Sequence, residues 1–150
     1  IFENQLTLYE FMTILEELES YWQNQNLPEG GGAKELFNEA KVGNFSFKYP
    51  NLDGQALILH DINHLLTNYQ TNWKGECEVS AWELASGGRP GHPTTWIYPI
   101  LLVILGIFIC PIRTLKAYRK GLGKRNSFVI SLETNIFELT KNDFIERTNG

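Results

Sequence analysis

Cysteine is scarce in this sequence: there are two, Cys77 and Cys110, and their separation matches no spacing that is typical of a metal site. A framework of disulfide bonds is therefore not expected, and a reducing compartment is the default interpretation. No signal peptide is visible in the residues from Ile1 onwards. The first residue is Ile1 rather than Met, so we expect the natural N-terminus to lie upstream.

The sequence also lacks an excess of basic residues. Its formal net charge is −4, which disfavours a general nucleic-acid-binding function. The basic residues are nevertheless concentrated, because six of the thirteen lie between Arg113 and Arg125, where there is no acidic residue. This basic strip predicts an anionic membrane surface or a phosphate group as a binding partner.

Charge of either sign is absent from residues 96–112. At about 17 residues, this apolar segment is at the short limit for a membrane-spanning helix, and it contains Pro99 and Pro111. We therefore predict a helix that is buried in the core or lines an apolar cavity. A membrane-spanning helix and a helix lying on a membrane surface are the alternatives.

The remaining composition is typical of a globular protein, with 43% hydrophobic and 20% charged residues. At 150 residues, the chain is expected to form one domain over residues 1–150. Hydrophobic periodicity and capping residues predict helices over residues 7–23, 33–40, 53–69, 76–85, 96–112 and 113–121, and one more after a capping box at Thr140 and Asp143. The predicted fold is all-α, a single compact domain of about six to seven helices, with enough large apolar side chains for a sizeable core or an apolar cavity.

One segment has the pattern of a strand rather than a helix. Phe45, Phe47 and Tyr49 alternate with polar residues, and Pro50 follows them directly. Because no partner strand is apparent in the sequence, we interpret this segment as an extended connection.

The clearest chemical signal is a group of His and acidic residues. His60 and His64 are one helical turn apart, about 40° from each other around the helix, and Asp61 lies about 100° from His60. Glu76 can approach them only if the chain reverses near residues 72–75, where Asn, Lys and Gly favour a turn. Two imidazoles with one or two carboxylates suit Zn²⁺, Fe²⁺ or Mn²⁺.

Each of these residues also has a plainer interpretation. A His pair at this spacing is frequently exposed or hydrogen-bonded without a metal. Asp61 would then orient a histidine or simply be a solvated helix charge. Spacing alone therefore leaves both interpretations open.

The same residues resemble the metal motif of a known family. The sequence HDxxH, eleven further residues and Glu is similar to the signature of the coenzyme Q (ubiquinone) biosynthesis protein 4 family, here at His60, Asp61, His64 and Glu76. The Gly/Pro loop at 87–90, the AYRKG element at 117–121 and the glycine-bearing loop at 27–30 also fit. The chain lacks an Arg that the family often has shortly before the His-Asp pair, so it resembles a divergent, bacterial-type member.

This resemblance implies an all-helical protein that associates peripherally with membranes and binds polyprenyl lipids in an apolar tunnel beside a metal. His60, Asp61, His64 and Glu76 become the ligands of a divalent ion, Zn first, with Fe, Mn or Mg as alternatives. It implies a lyase-type function, the removal of the C1 ring carboxylate of a polyprenyl hydroxybenzoate and its replacement by oxygen. The implied partners are a polyprenyl lipid or quinone precursor, a membrane surface and a second copy in a homodimer.

Two hypotheses about function follow. In the first, the chain is a metal-dependent enzyme of ubiquinone biosynthesis. In the second, it is a non-catalytic, peripheral-membrane protein that binds isoprenoid lipids or organises a quinone biosynthetic complex. Either would be cytoplasmic at a membrane surface, or on the matrix side of the mitochondrial inner membrane in a eukaryote.

Overall fold

Seven α-helices make up most of the part of the chain, residues 12–42 and 44–150, that the computed structural model describes. The prediction of an all-α fold of six to seven helices is confirmed, although a small two-stranded sheet is added to it. The helices are α1 (Ile14–Asn24), α2 (Gly54–Thr67), α3 (Trp73–Ala85), α4 (Ile97–Ile109), α5 (Pro111–Gly121), α6 (Ser127–Ser131) and α7 (Lys141–Thr148). Short 3₁₀ turns occupy Glu29–Gly32, Pro93–Thr95 and Ile136–Glu138.

Helix α1 begins later than its hydrophobic pattern predicted. The Thr13 hydroxyl accepts a hydrogen bond from the backbone N–H of Glu16, and the Glu16 carboxylate accepts one from the N–H of Thr13 at 2.7 Å. This capping box starts the helix at Ile14. The predicted residues 7–11 lie outside the described part of the chain.

The helix predicted over residues 33–40 is wrong. Strand β1 (Phe37–Val42) pairs in antiparallel fashion with β2 (Phe45–Pro50), so the segment interpreted as an unpaired extended connection has a partner after all. The side-chain amide of Asn51 donates hydrogen bonds to the carbonyl oxygens of Gly32, Ala33 and Glu35 at 3.0–3.2 Å and ties this hairpin to the preceding turn. The pairing partner, rather than local propensity, decides the conformation of β1.

Helices α2 and α3 form an antiparallel pair, which confirms the chain reversal that the metal prediction required. Asp53 caps α2, and Asn68 ends it in the left-handed conformation with a φ of 57°. Asn72 caps α3 by accepting from the N–H of Gly75 at 3.0 Å. The turn therefore lies at residues 68–72, somewhat earlier than predicted, and Glu76 falls in the first turn of α3.

The core lies on one side of α2. Its buried side chains come from four helices and one 3₁₀ turn: Ile14, Leu18, Trp22, Ala56, Leu59, Ile62, Phe128, Ile130, Ile136 and Phe144. His60 and His64 are on a different side of the same helix, facing α3. The helical period therefore separates the core from the candidate site.

Helix α4 is the apolar segment, and the prediction that it is buried is wrong for its outer side. One side packs on α3, where a Cβ at Gly106 would lie 2.8 Å from the Cβ of Cys77. The other side exposes large apolar residues: Ile97, Ile100, Leu101, Ile104, Ile107, Phe108 and Ile109. Among the residues that the structure describes, none of the helices combines the length and hydropathy that crossing a membrane requires.

Candidate metal centre

Three of the four predicted ligands converge between α2 and α3. His60 Nε2 lies 3.1 Å from Glu76 Oε2, and His64 Nε2 lies 3.2 Å from Glu76 Oε1. One ligand atom from each of the three side chains falls within 4.8 Å of the other two. Both histidines are buried, whereas the side chain of Glu76 retains 27% exposure. The group can therefore hold an ion and still be reached from solvent.

Hydrogen bonds at the two Nδ1 atoms orient the imidazole rings of His60 and His64. His64 Nδ1 donates a hydrogen bond to the carbonyl oxygen of Tyr69 at 2.9 Å, and His60 Nδ1 lies 2.7 Å from Glu83 Oε1. Both Nδ1 atoms are thus engaged, which directs both Nε2 atoms towards Glu76. Metal-binding histidines have this arrangement, with one nitrogen on the ion and the other donating to an oxygen.

The buried Nε2 of His64 has no hydrogen-bond partner among the described residues. Glu76 Oε1 is within ion-pair distance, but the contact does not meet the geometry of a hydrogen bond. A buried polar atom without a partner is costly, and a metal ion would satisfy it. The donor set of two imidazoles and one carboxylate fits Zn²⁺ and related borderline ions.

Asp61 does not belong to this converging group. Its Oδ2 accepts a hydrogen bond from Trp22 Nε1 at 2.7 Å, which joins α1 to α2. Gly31 lies directly against this pair, since a Cβ there would be 2.5 Å from both bonded atoms. Burial, with the Glu76 carboxylate adding to it, raises the pKa of Asp61 to about 6. Ligation by Asp61 stays a prediction.

Sequence reasoning missed two residues of the site, Glu83 and Arg89. Glu83 is completely buried, and its carboxylate contacts His60, Asn63 Nδ2 at 2.9 Å and the guanidinium of Arg89 at 2.8–3.0 Å. Glu83 lies two helical turns after Glu76, on the same side of α3, and that spacing was the one available signal. Arg89 lies in the Gly/Pro loop, where nothing in the sequence points to the site.

The charges of the site are strongly coupled. Burial alone would lower the pKa of His60, but the carboxylates of Glu83 and Glu76 raise it to about 10. Burial would raise the pKa of Glu83, but Arg89 and His60 lower it to about 2. The two histidines likewise hold the pKa of Glu76 well below its usual range despite its burial. An ion that binds here would therefore have to displace protons from the imidazoles.

Comparisons with known proteins identify no relative. No protein-family model matches the chain, and neither a curated protein nor a solved structure is significantly similar to it. The resemblance to the coenzyme Q biosynthesis protein 4 family therefore depends on the motifs in the sequence alone.

Proposed function

We propose that this chain binds a divalent metal ion at His60, His64 and Glu76 and acts on the polar head of a polyprenylated lipid or quinone precursor. The proposed reaction resembles the C1 ring decarboxylation of ubiquinone biosynthesis. The observation that carries the proposal is the pair of imidazoles whose Nε2 atoms are turned towards one carboxylate by hydrogen bonds at their Nδ1 atoms.

A bound divalent ion would polarise the substrate's oxygen atoms and stabilise negative charge as the ring carboxylate leaves as CO₂. The electron pair left on C1 would take up a proton from solvent, so this step needs no oxidant. Three protein ligands leave coordination positions for such oxygens. The protein residues hold the site in shape. Glu83 and the carbonyl oxygen of Tyr69 fix the two imidazoles, and Arg89 keeps Glu83 charged.

Two aromatic contacts join the hairpin to α3 and α4, and one of them involves Trp73, which lies three residues before Glu76. Phe47 of β2 packs on Trp73 of α3 with ring centroids 6.3 Å apart, and Tyr49 packs edge-on against Tyr98 of α4 at 5.7 Å. The hairpin thus joins the first turns of α3 and α4. Such surfaces suit the ring of a hydroxybenzoate, and the exposed apolar side of α4 begins next to them.

The direct test uses the purified, zinc-loaded chain and a 4-hydroxybenzoate that carries a polyprenyl group. We expect metal-dependent release of CO₂ and tighter binding of the prenylated than of the unprenylated acid, because the tail adds apolar contact area. Removal of the metal should stop the release. Zinc-loaded protein that neither binds nor converts the prenylated acid would rule out this function.

A second candidate function, a non-catalytic isoprenoid-lipid-binding or scaffolding protein at a membrane surface, is favoured by a different observation. The exposed apolar side of α4 continues onto α5 through Ile112 and Leu115. Lys116 and Lys120 are exposed on the adjacent side of α5. An apolar surface bordered by cations is typical of helices that lie on anionic membranes.

Vesicle binding tests this candidate. We expect the chain to float with vesicles containing phosphatidylserine, and Phe108→Ser to weaken that binding about tenfold through lost apolar burial. Leu36→Ser is the matched control, since Leu36 and Phe108 are each 82% exposed, but Leu36 lies beside the hairpin. Equal loss in both variants would contradict a docking surface on α4. Vesicle binding without CO₂ release by the zinc-loaded protein would favour the non-catalytic function.

A further inference from the structure

A single buried carboxylate joins the metal centre to the rest of the fold. Glu83 has no exposed surface, and its two oxygens have different partners. Oε1 lies 2.7 Å from His60 Nδ1 and accepts from Asn63 Nδ2 at 2.9 Å. Oε2 accepts from Nε and Nη2 of Arg89 at 3.0 and 2.8 Å.

We propose that Glu83 is the positioning residue of the metal centre, which by its hydrogen bond to His60 Nδ1 sets the ring so that Nε2 faces the ion. The inference rests on the proposed function, because it presupposes that His60 is a ligand. The contact requires a proton on Nδ1, since two lone pairs facing each other at 2.7 Å would repel, and Nε2 is then the atom left for the ion. Arg89 Nη2 is also 3.2 Å from Nδ1, but its nearer acceptor is Glu83 Oε2.

A second ion pair on α3, between Glu78 and Arg113, provides a comparison for the contacts of Glu83. Both carboxylate oxygens of Glu78 accept hydrogen bonds from the guanidinium of Arg113, at 2.9 and 2.6 Å. Arg89 is satisfied by one oxygen of Glu83 and by the carbonyl oxygen of Thr95. Glu83 therefore keeps one oxygen for His60 and Asn63, which an ion pair alone would not require.

Asn63 supports the same placement from α2. Its amide donates to Glu83 Oε1, and its own oxygen accepts from the backbone N–H of Ser127 at 3.0 Å. Glu83 Oε1 is thus fixed from two directions before any metal binds. The ring of His60 is positioned with little freedom, which is what tight metal binding needs.

The experiment is a zinc titration of the full chain and two variants, Glu83→Gln and Glu78→Gln, with urea unfolding of each metal-free protein. We expect Glu83→Gln to weaken zinc binding about 10- to 100-fold, since a neutral amide is a poorer acceptor for the N–H at His60 Nδ1 and holds the ring less firmly. Glu78→Gln should leave the affinity within about threefold, because Glu78 does not contact a ligand. Equal zinc affinity in Glu83→Gln and the unchanged protein would overturn the inference.

A measurement on the unchanged protein covers the case in which Glu83→Gln does not fold. In the ¹⁵N-labelled, zinc-loaded chain, His60 should retain a proton on Nδ1 and bind zinc through Nε2. Zinc on Nδ1 would overturn the inference while leaving the proposed metal function intact. If the unchanged chain binds no zinc at all, the proposed function itself fails, so the two failures are distinguishable.

Discussion

His64→Ala is expected to reduce the affinity for zinc by at least about 100-fold, because it removes one of three protein ligands rather than a supporting group. His64 is the better of the two histidines for this test, because it is paired with one carboxylate and His60 with two. Its Nε2 is a buried atom without a hydrogen-bond partner among the described residues, and its Nδ1 contacts a backbone carbonyl oxygen. Its removal leaves Glu76 paired with His60, whereas removal of His60 would take a partner from both Glu76 and Glu83.

Equilibrium dialysis followed by elemental analysis measures this effect. The control is His92→Ala, which changes the third histidine of the chain. His92 is also buried, but it is hydrogen-bonded to Asp53 and packs against Phe128, away from the converging group. We expect His92→Ala to bind zinc with the affinity of the unchanged protein. Undiminished zinc binding by His64→Ala would show that the converging residues are not the metal site.

Zinc affinity is also expected to depend steeply on pH. The pKa of His60 is raised to about 10 by Glu83 and Glu76, which outweigh the opposing effect of burial, and that of His64 is raised mainly by Glu76, against burial. Below its raised pKa, each histidine of the metal-free protein holds a proton that zinc must displace. The affinity therefore falls as the pH falls, by about tenfold per pH unit for each proton displaced.

Protonation of the histidines weakens zinc binding, but it increases the free energy of unfolding of the metal-free protein. A histidine whose pKa is raised on folding makes its full contribution to stability at pH values below the pKa of about 6.5 that it has in the unfolded chain. That contribution is lost as the pH rises towards the folded pKa of about 10. The metal-free protein should therefore lose stability over the pH range in which zinc binds more tightly.

Competition with a chelator of known pH dependence at pH 6.5, 7.5 and 8.5 measures the affinity, and urea unfolding of the metal-free protein measures the stability. His92→Ala should show the same dependence of zinc affinity on pH as the unchanged protein, because it changes no residue of the converging group. Since His64→Ala releases fewer protons on binding zinc, its affinity should change less with pH. An affinity that is constant over this range would contradict proton displacement from the histidines.

Much of the fold was predictable because it depends on contacts between neighbouring residues. Asp53, Asn72 and Thr140 cap helices through bonds to residues two or three positions later, and each was readable from the sequence or lies at a predicted break. His60 and His64 share a side of α2 because of the helical period alone. The reversal that brings Glu76 to them also depends on local turn residues.

Contacts between distant parts of the chain decided the rest. β1 became a strand because β2 pairs with it, and Asp61 lies against Trp22, which comes from another helix. The alternation in β2 indicated an extended segment, but nothing in the sequence indicated which segment would pair with it.

The metal centre itself combines both kinds of information. The sequence alone indicated His60, His64 and Glu76 as residues that could hold an ion, together with Asp61, which the converging group does not include. Only the tertiary structure placed Glu83 behind His60 and turned the apolar side of α4 outwards. The physical reason is that helical period and capping act within a few residues, whereas burial and ring orientation depend on what packs against each side chain in three dimensions.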